Sequence, residues 1–318
     1  MKLIVFCCIV AAFGISCREA KVTEKVPNRV EIGVGISAEL VEEFSGEKAM
    51  LFLRELTAIG PRPPASEGYA KAVEFVRETL GDLGWETKNQ TFTAATPLGP
   101  REFTNVLARY APEGGTDWRN SVPYVLGSHL DTKLYTDFVF VGANDSGSSS
   151  AILMELARVL ATEPEAAHQV ELVFFDGEEA KLEFITPRDG LYGSKYYASE
   201  LWDRTAQPQA ALVLDLVGDP KVPFLLSPES PEYLRKIAER AIEMEDLKNR
   251  VEPADAVIID DHMPLQTIGG LDSLLLIGDF RKMPYWHTKD DTLDKVSAET
   301  LGEAGRFALR FLNEMGQR

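Results

Sequence analysis

A run of apolar residues that ends in two adjacent glutamates constrains this 318-residue chain more than any other stretch. Val170–Phe175 is rich in β-branched and aromatic residues, and Asp176, Gly177, Glu178 and Glu179 follow it directly. Short apolar runs of this kind are typical of strands buried in a parallel sheet. Reactive side chains in such sheets gather beyond the carboxyl ends of the strands. One glutamate could therefore bind a metal ion while the other transfers a proton, although glutamate pairs are also common on surfaces.

Apolar periodicity predicts that strands and helices alternate along the rest of the chain. Besides Val170–Phe175, the predicted strands cover residues 85–94, 103–110, 122–127, 210–217, 257–259 and 271–277. Helical spacing covers residues 38–44, 47–59, 66–83, 191–201, 232–244 and 297–315, and residues 144–160 pass from a Gly/Ser loop into a helix at Ser148. This alternation predicts an α/β fold, a three-layer α/β/α sandwich around a mixed, mainly parallel sheet.

The first residues indicate export. Lys2 precedes the apolar run Leu3–Phe13, which is typical of a secretory signal and short for a membrane span. The run leads to Gly14–Cys17, which resembles a bacterial lipoprotein processing site, although Gly14 is unusual there and ordinary secretory cleavage remains an alternative. We expect a signal peptide over residues 1–17, a polar tether over 18–35 and one domain over 36–318. The expected protein is an exported cell-envelope lipoprotein that contacts the membrane only through lipid on Cys17.

Charge and cysteine content exclude some functions. Fifty acidic residues against 33 basic ones give a net charge of −17, which is unfavourable for binding nucleic acid. The three cysteines, Cys7, Cys8 and Cys17, all lie in the predicted leader. A metal site in the mature protein must therefore use histidine, aspartate and glutamate instead of thiolates.

Candidate ligands follow several of the predicted strands. His129 and Asp131 follow strand 122–127, and Asp145 precedes the helix at Ser148. Asp215 lies near the end of strand 210–217, and His287 follows strand 271–277. Nitrogen and oxygen donors without sulfur suit a catalytic zinc ion that keeps a position open for water or substrate. Any one of these residues alone could be a hydrogen-bonded structural residue. Their recurrence at successive strand ends predicts a metal site.

The order of these residues resembles the zinc aminopeptidase superfamily. The motif is His129-x-Asp131, Asp145, Glu178–Glu179, Asp215 and His287. The resemblance implies two zinc ions, one held by His129, Asp145 and Asp215, and the other by Asp145, Glu179 and His287. It implies that Glu178 is the general base.

A closer resemblance is to the animal-type glutaminyl cyclases, which have the same fold. It rests on Phe138–Phe140, Gly142–Ser146, Phe174–Ala180, Leu191–Ser194, Leu214–Gly218, Asp260–Pro264 and Trp286–Asp291. This resemblance implies one zinc ion, on Asp145, Glu179 and His287. It also implies conversion of N-terminal glutamine in peptides or proteins to pyroglutamate, with release of ammonia.

The cyclase resemblance implies further roles. Glu178 would be the catalytic proton carrier, supported by a hydrogen-bonded acidic pair, Asp215 and Asp260. Trp286 would form an apolar wall for the substrate, and Phe184 stands where animal cyclases carry a tryptophan at the pocket rim. His129 would remain as a former second-metal ligand. A zinc aminopeptidase is the alternative, and an inactive binding domain is a second one. We expect a monomer.

Overall fold

The computed structural model describes residues 28–32 and 36–318. The predicted signal peptide and most of the predicted tether lie outside these residues. Within the tether range, residues 28–32 contact the rest of the chain: the Val30 backbone amide donates to the Gln207 carbonyl at 2.9 Å. The Arg29 guanidinium donates to the Pro208 and Gln209 carbonyls at 3.0 and 2.8 Å. No helix in the described ranges is long and apolar enough to cross a bilayer.

The sheet has eight strands and confirms the predicted mixed, mainly parallel arrangement. The strands are β1 (Trp85–Thr96), β2 (Gly99–Tyr110), β3 (Tyr124–His129), β4 (Val170–Phe175), β5 (Ala210–Asp215), β6 (Phe224–Leu226), β7 (Val251–Pro253) and β8 (Ser273–Gly278). Their order across the sheet is β1-β2-β4-β3-β5-β8-β6-β7. The four central strands, β4, β3, β5 and β8, are parallel to one another. β1 and β2 pair antiparallel, as do β2 and β4 and also β6 and β8.

Helices cover both faces of the sheet, which confirms the three-layer architecture. They are α1 (Ala38–Glu42), α2 (Gly46–Ala58), α3 (Glu67–Asp82), α4 (Ser149–Leu160), α5 (Pro164–Ala167), α6 (Tyr192–Glu200), α7 (Glu232–Met244), α8 (His262–Thr267) and α9 (Ala298–Gly316). Buried residues of α1 to α5, α7 and α9 share one core with one face of the sheet. Buried residues of α6 and α8 pack on the other face.

The central strands place their polar ends at one edge. All residues of β3, β4, β5 and β8 are buried, as expected for strands covered on both faces. Because these strands are parallel, their carboxyl ends meet at the same edge of the sheet. His129 is the last residue of β3, and Asp215 is the last residue of β5.

One predicted strand is wrong. Residues 257–259 form a loop, and the strand nearby is the three-residue β7. The side chains of Val257 and Ile259 are 59% and 54% exposed, and both line a cavity above the sheet. The apolar run therefore forms part of the wall of a cavity, and its middle residue, Ile258, also packs in the core. β6 was missed because three residues are too few to show a period of two.

Candidate active site

Four of the carboxylates that line the cavity, and the histidine His287, come from separate segments of the chain. Glu178 and Glu179 follow β4 by three and four residues, and Asp215 ends β5. Asp145 lies in an irregular turn, Ala143–Ser148, that leads into α4. The Asp291 carboxylate holds this turn by accepting hydrogen bonds from the backbone amides of residues 144 and 145 at 2.8 and 3.1 Å.

Asp145, Glu179 and His287 form a compact group of donor atoms. His287 Nε2 lies 3.2 Å from Asp145 Oδ2 and 3.1 Å from Glu179 Oε1. Ligands on a tetrahedral zinc ion at ~2.0–2.2 Å lie roughly 3.3–3.6 Å from one another. The spacing and the nitrogen and oxygen chemistry of this group therefore fit a metal ion with little movement.

His129, Asp145 and Asp215 form a second group of this kind. His129 Nε2 lies 3.2 Å from both Asp145 Oδ1 and Asp215 Oδ1. Burial alone would lower the pKa of His129, but the charge of Asp215 and hydrogen bonds to neighbouring carboxylates raise it well above its usual value. His129 can therefore bridge the two aspartates as a hydrogen-bond donor, or it can bind a metal with them.

Glu178, Asp215 and Asp260 have raised pKa values. Burial raises the pKa of Glu178 well above its usual value. Burial also raises the pKa of Asp215 to about 7, and the nearby charge of Asp260 adds to this increase. The pKa of Asp260 is raised as well, mainly by burial. All three line one cavity of about 270 Å³ together with the Asp145, Glu179 and His287 group. The cavity thus combines a candidate metal site with carboxyl groups able to carry protons near neutral pH.

Aromatic side chains border the cavity. The Trp286 ring stacks on His287 with a centroid distance of 4.1 Å, and its indole Nε1 donates to Asp145 Oδ2 at 3.1 Å. Trp286 therefore both covers and orients the candidate ligands. Phe184 is 66% exposed and lines the mouth of the same cavity.

Lys133 is a site residue that sequence reasoning missed. Its side chain is buried, and Nζ lies 3.4 Å from Glu179 Oε2 and donates to the Ala180 carbonyl at 2.9 Å. It therefore holds one oxygen of Glu179 while the other oxygen faces His287. The signal that could have found it is its place two residues after Asp131, in the loop that follows β3.

Two histidines lie outside this constellation. His262 is buried, and its Nε2 lies 2.7 Å from Glu229 Oε1, which fixes the start of α8 just after Asp260. His168 is exposed and packs edge-on against Tyr110.

Residues 105–312 match the model of peptidase family M28. The chain belongs to this family. All the predicted metal ligands and catalytic residues of this M28 chain lie within the matched range. A protein from Bos taurus named glutaminyl-peptide cyclotransferase-like protein is 32% identical over 295 residues, covering 83% of this chain and 74% of the relative. A Dictyostelium discoideum protein named glutaminyl-peptide cyclotransferase is 27% identical over 342 residues, covering 91% of each chain.

A solved structure with a similar fold agrees with the family assignment. A crystal structure of an Acidobacteriales bacterium glutaminyl cyclase is 29% identical to this M28 chain and superposes with a TM-score of 0.76. The match covers 93% of this chain and 99% of the other. Together with the curated relatives, it confirms the resemblance seen in the sequence.

Proposed function

We propose that this M28 chain is a glutaminyl-peptide cyclotransferase that converts N-terminal glutamine of peptides or proteins to pyroglutamate and releases ammonia. The observation that carries the proposal is the grouping of Glu178, Asp215 and Asp260, all with raised pKa values, around the Asp145, Glu179 and His287 group in one cavity. Cyclisation needs proton transfer from an amine to an amide nitrogen and needs no water. The named relatives with 27–32% identity support the same activity.

The metal in this proposal is one zinc ion, held by Asp145, Glu179 and His287. When bound, zinc would act as a Lewis acid on the side-chain carbonyl of the substrate glutamine. Lys133 would keep Glu179 oriented, and Trp286 would provide an apolar wall beside the glutaminyl side chain.

Glu178 would carry the proton. The substrate α-amine attacks its own side-chain amide carbon, forming the ring C–N bond. Glu178 accepts a proton from the attacking nitrogen and returns it to the amide nitrogen, so that this second C–N bond breaks and ammonia leaves. The raised pKa of Glu178 matches this task, because a carboxyl group with a pKa nearer neutrality both accepts and donates a proton readily.

Asp215 and Asp260 would share a proton beside Glu178. Two carboxylates in one buried site do not both ionise easily, so one keeps its proton and can donate a hydrogen bond. We further propose that the protein is exported and is anchored through lipid on Cys17, based on the leader sequence.

A zinc aminopeptidase is the second candidate, and the His129, Asp145 and Asp215 group favours it because it offers a second metal position. An assay with a Gln-initiated dipeptide separates the two activities. Ammonia with a pyroglutamyl product supports the cyclotransferase, whereas free glutamine supports the peptidase.

A further inference from the structure

The loop between Ala180 and Leu191 lies over the cavity and is held in place from the inside. Asp189 is buried, and its carboxylate accepts hydrogen bonds from the backbone amides of residues 181 and 182, both at 2.8 Å. The Tyr192 hydroxyl donates to the same carboxylate at 2.9 Å. The Leu191 amide donates to the Glu178 carbonyl at 2.9 Å, which ties the end of the loop to the catalytic segment. The loop is therefore fixed relative to the site.

This loop presents three consecutive residues, Glu183, Phe184 and Ile185, to the cavity. Glu183 is exposed, and among residues 28–32 and 36–318 its carboxylate has neither an ion pair nor a hydrogen bond. Phe184, the next residue, is 66% exposed. A carboxylate and an aromatic ring from consecutive residues thus line the cavity and are open to a substrate.

The charges around the cavity leave Glu183 uncompensated. Seven acidic residues and two basic ones, Lys133 and Arg281, line the cavity. Lys133 is paired with Glu179. Arg281 contacts Asp255 and Asp279 at 2.7 and 2.9 Å. Neither cation is thus available to Glu183, so a positive charge arriving with the substrate would meet an unpaired acid there.

We infer that Glu183 and Phe184 form a recognition site for a basic residue that directly follows the N-terminal glutamine of the substrate. This inference rests on the proposed cyclotransferase function and names its substrate class. The aliphatic stem of a lysine or arginine lies along Phe184, and its charged end reaches the Glu183 carboxylate. The net charge of −17 draws cationic peptides toward the protein and strengthens this selection at low salt.

Three amidated tripeptides test the inference: Gln-Lys-Phe, Gln-norleucine-Phe and Gln-Glu-Phe. We expect kcat/KM for ammonia release to be roughly three- to thirtyfold higher for the lysine peptide than for the norleucine peptide. This range corresponds to the sum of the free energies of an exposed ion pair and an exposed cation–π contact. Glu183→Gln should remove the ion-pair part of this preference, which lowers kcat/KM for the lysine peptide toward the norleucine level, and should leave the norleucine peptide unchanged. Glu183→Lys should favour the glutamate peptide.

Glu113→Gln is the matched control, because Glu113 is exposed and does not line the cavity. It removes the same charge and should preserve the lysine preference. Equal kcat/KM for the lysine and norleucine peptides, or equal loss of preference in both variants, would overturn the inference.

A failure of the proposed function gives a different result, because then none of the peptides releases ammonia. In that case calorimetric titration of the zinc-loaded protein with the same peptides decides the inference. Tighter binding of the lysine peptide that weakens in Glu183→Gln supports it, and equal affinity of the wild type for the lysine and norleucine peptides refutes it.

Discussion

Glu178 and Glu179 are adjacent, yet their replacement by glutamine should have opposite consequences. The Glu178 side chain lines the cavity. The hydrogen bond from Glu178 to the Asp131 carboxylate is donated by the backbone amide, so a change of side chain leaves it in place. The Glu179 side chain contacts both His287 and Lys133. Glu178→Gln therefore removes a proton carrier, whereas Glu179→Gln removes a metal ligand and a buried ion pair.

The expected magnitudes follow from these contacts. Loss of general acid–base catalysis in Glu178→Gln should slow ammonia release by ~10²–10⁴-fold, or about 2.7–5.5 kcal/mol of activation free energy. Because burial already raises the pKa of Glu178, an uncharged glutamine should not lower the stability of the metal-free protein. Glu179→Gln leaves Lys133 buried without its counter-charge, and breaking such a pair costs about 3–5 kcal/mol. We expect the lower end, because Lys133 keeps its bond to the Ala180 carbonyl.

Three measurements on the two variants check this reasoning: ammonia release, zinc content after dialysis, and urea unfolding of the chelator-treated protein. Glu178→Gln should be inactive, zinc-loaded and as stable as wild type. Glu179→Gln should be inactive, zinc-poor and less stable even without metal. Near-normal turnover in Glu178→Gln would refute the proton-carrier role, and full zinc content in Glu179→Gln would refute the ligand assignment.

Four further outcomes are expected. Asp260→Asn should lower ammonia release strongly while zinc content stays at the wild-type level, because it removes the shared proton of the acidic pair; mild loss would favour the peptidase. Elemental analysis of dialysed protein should find one zinc per chain, and two at full occupancy would contradict this. Cys17→Ser should move the protein from the membrane to the soluble fraction with its specific activity unchanged, and a soluble wild type would disprove the anchor. Glu171→Gln should cost about 3–5 kcal/mol in urea unfolding, because it leaves Arg109 and Arg204 buried without a counter-charge; a change below 1 kcal/mol would contradict this.

The Glu171 contribution should also depend on pH in the wild type. Burial alone would raise the pKa of this carboxyl, but Arg204 and Arg109 lower it from 4.5 to about 2. A depressed folded-state pKa stabilises the fold above the unfolded value. Unfolding free energy should therefore fall as pH decreases from about 4.5 toward 2, and the Glu171→Gln variant should lack this part of the dependence.

The sequence was sufficient for the layers and for the residues that meet at the edge of the sheet. Buried parallel strands have an unbroken apolar signature, so polar residues just after Val170–Phe175 and at the end of β5 stand out. Parallel pairing then requires these ends to lie side by side. The sequence alone therefore predicts that Glu178, Asp215 and His129 lie at the same edge of the sheet. No pattern in the sequence gives the distances between them.

Features created by tertiary contacts could not be predicted. His287 and Leu216 have φ angles of +57° and +53°, which non-glycine residues adopt where surrounding structure holds them. Lys133 was missed although it follows Asp131 by two residues, because lysine is mostly a surface residue and its burial here depends on Glu179 and the Ala180 carbonyl. The loop at residues 257–259 misled the prediction because an apolar run that lines a cavity has the same composition as a buried strand.

The carboxyl groups of the site divide by environment in a way that matches the proposed division of labour. Burial would raise the pKa of Asp145, but hydrogen bonds from His129 and His287 outweigh burial and lower it. Asp145 is therefore ionised and ready to bind a cation. For Glu178, Asp215 and Asp260 burial outweighs the opposing effect of His129, which contacts Asp215, and the pKa of each carboxyl group is raised. When the environments within one cavity shift the pKa values of carboxyl groups in opposite directions, the ionised group can bind a metal and the others can carry protons. Asp145 contacts both His129 and His287, whereas Asp215 contacts His129. In the proposed mechanism this difference would allow a metal ion and a mobile proton to be used in the same cavity.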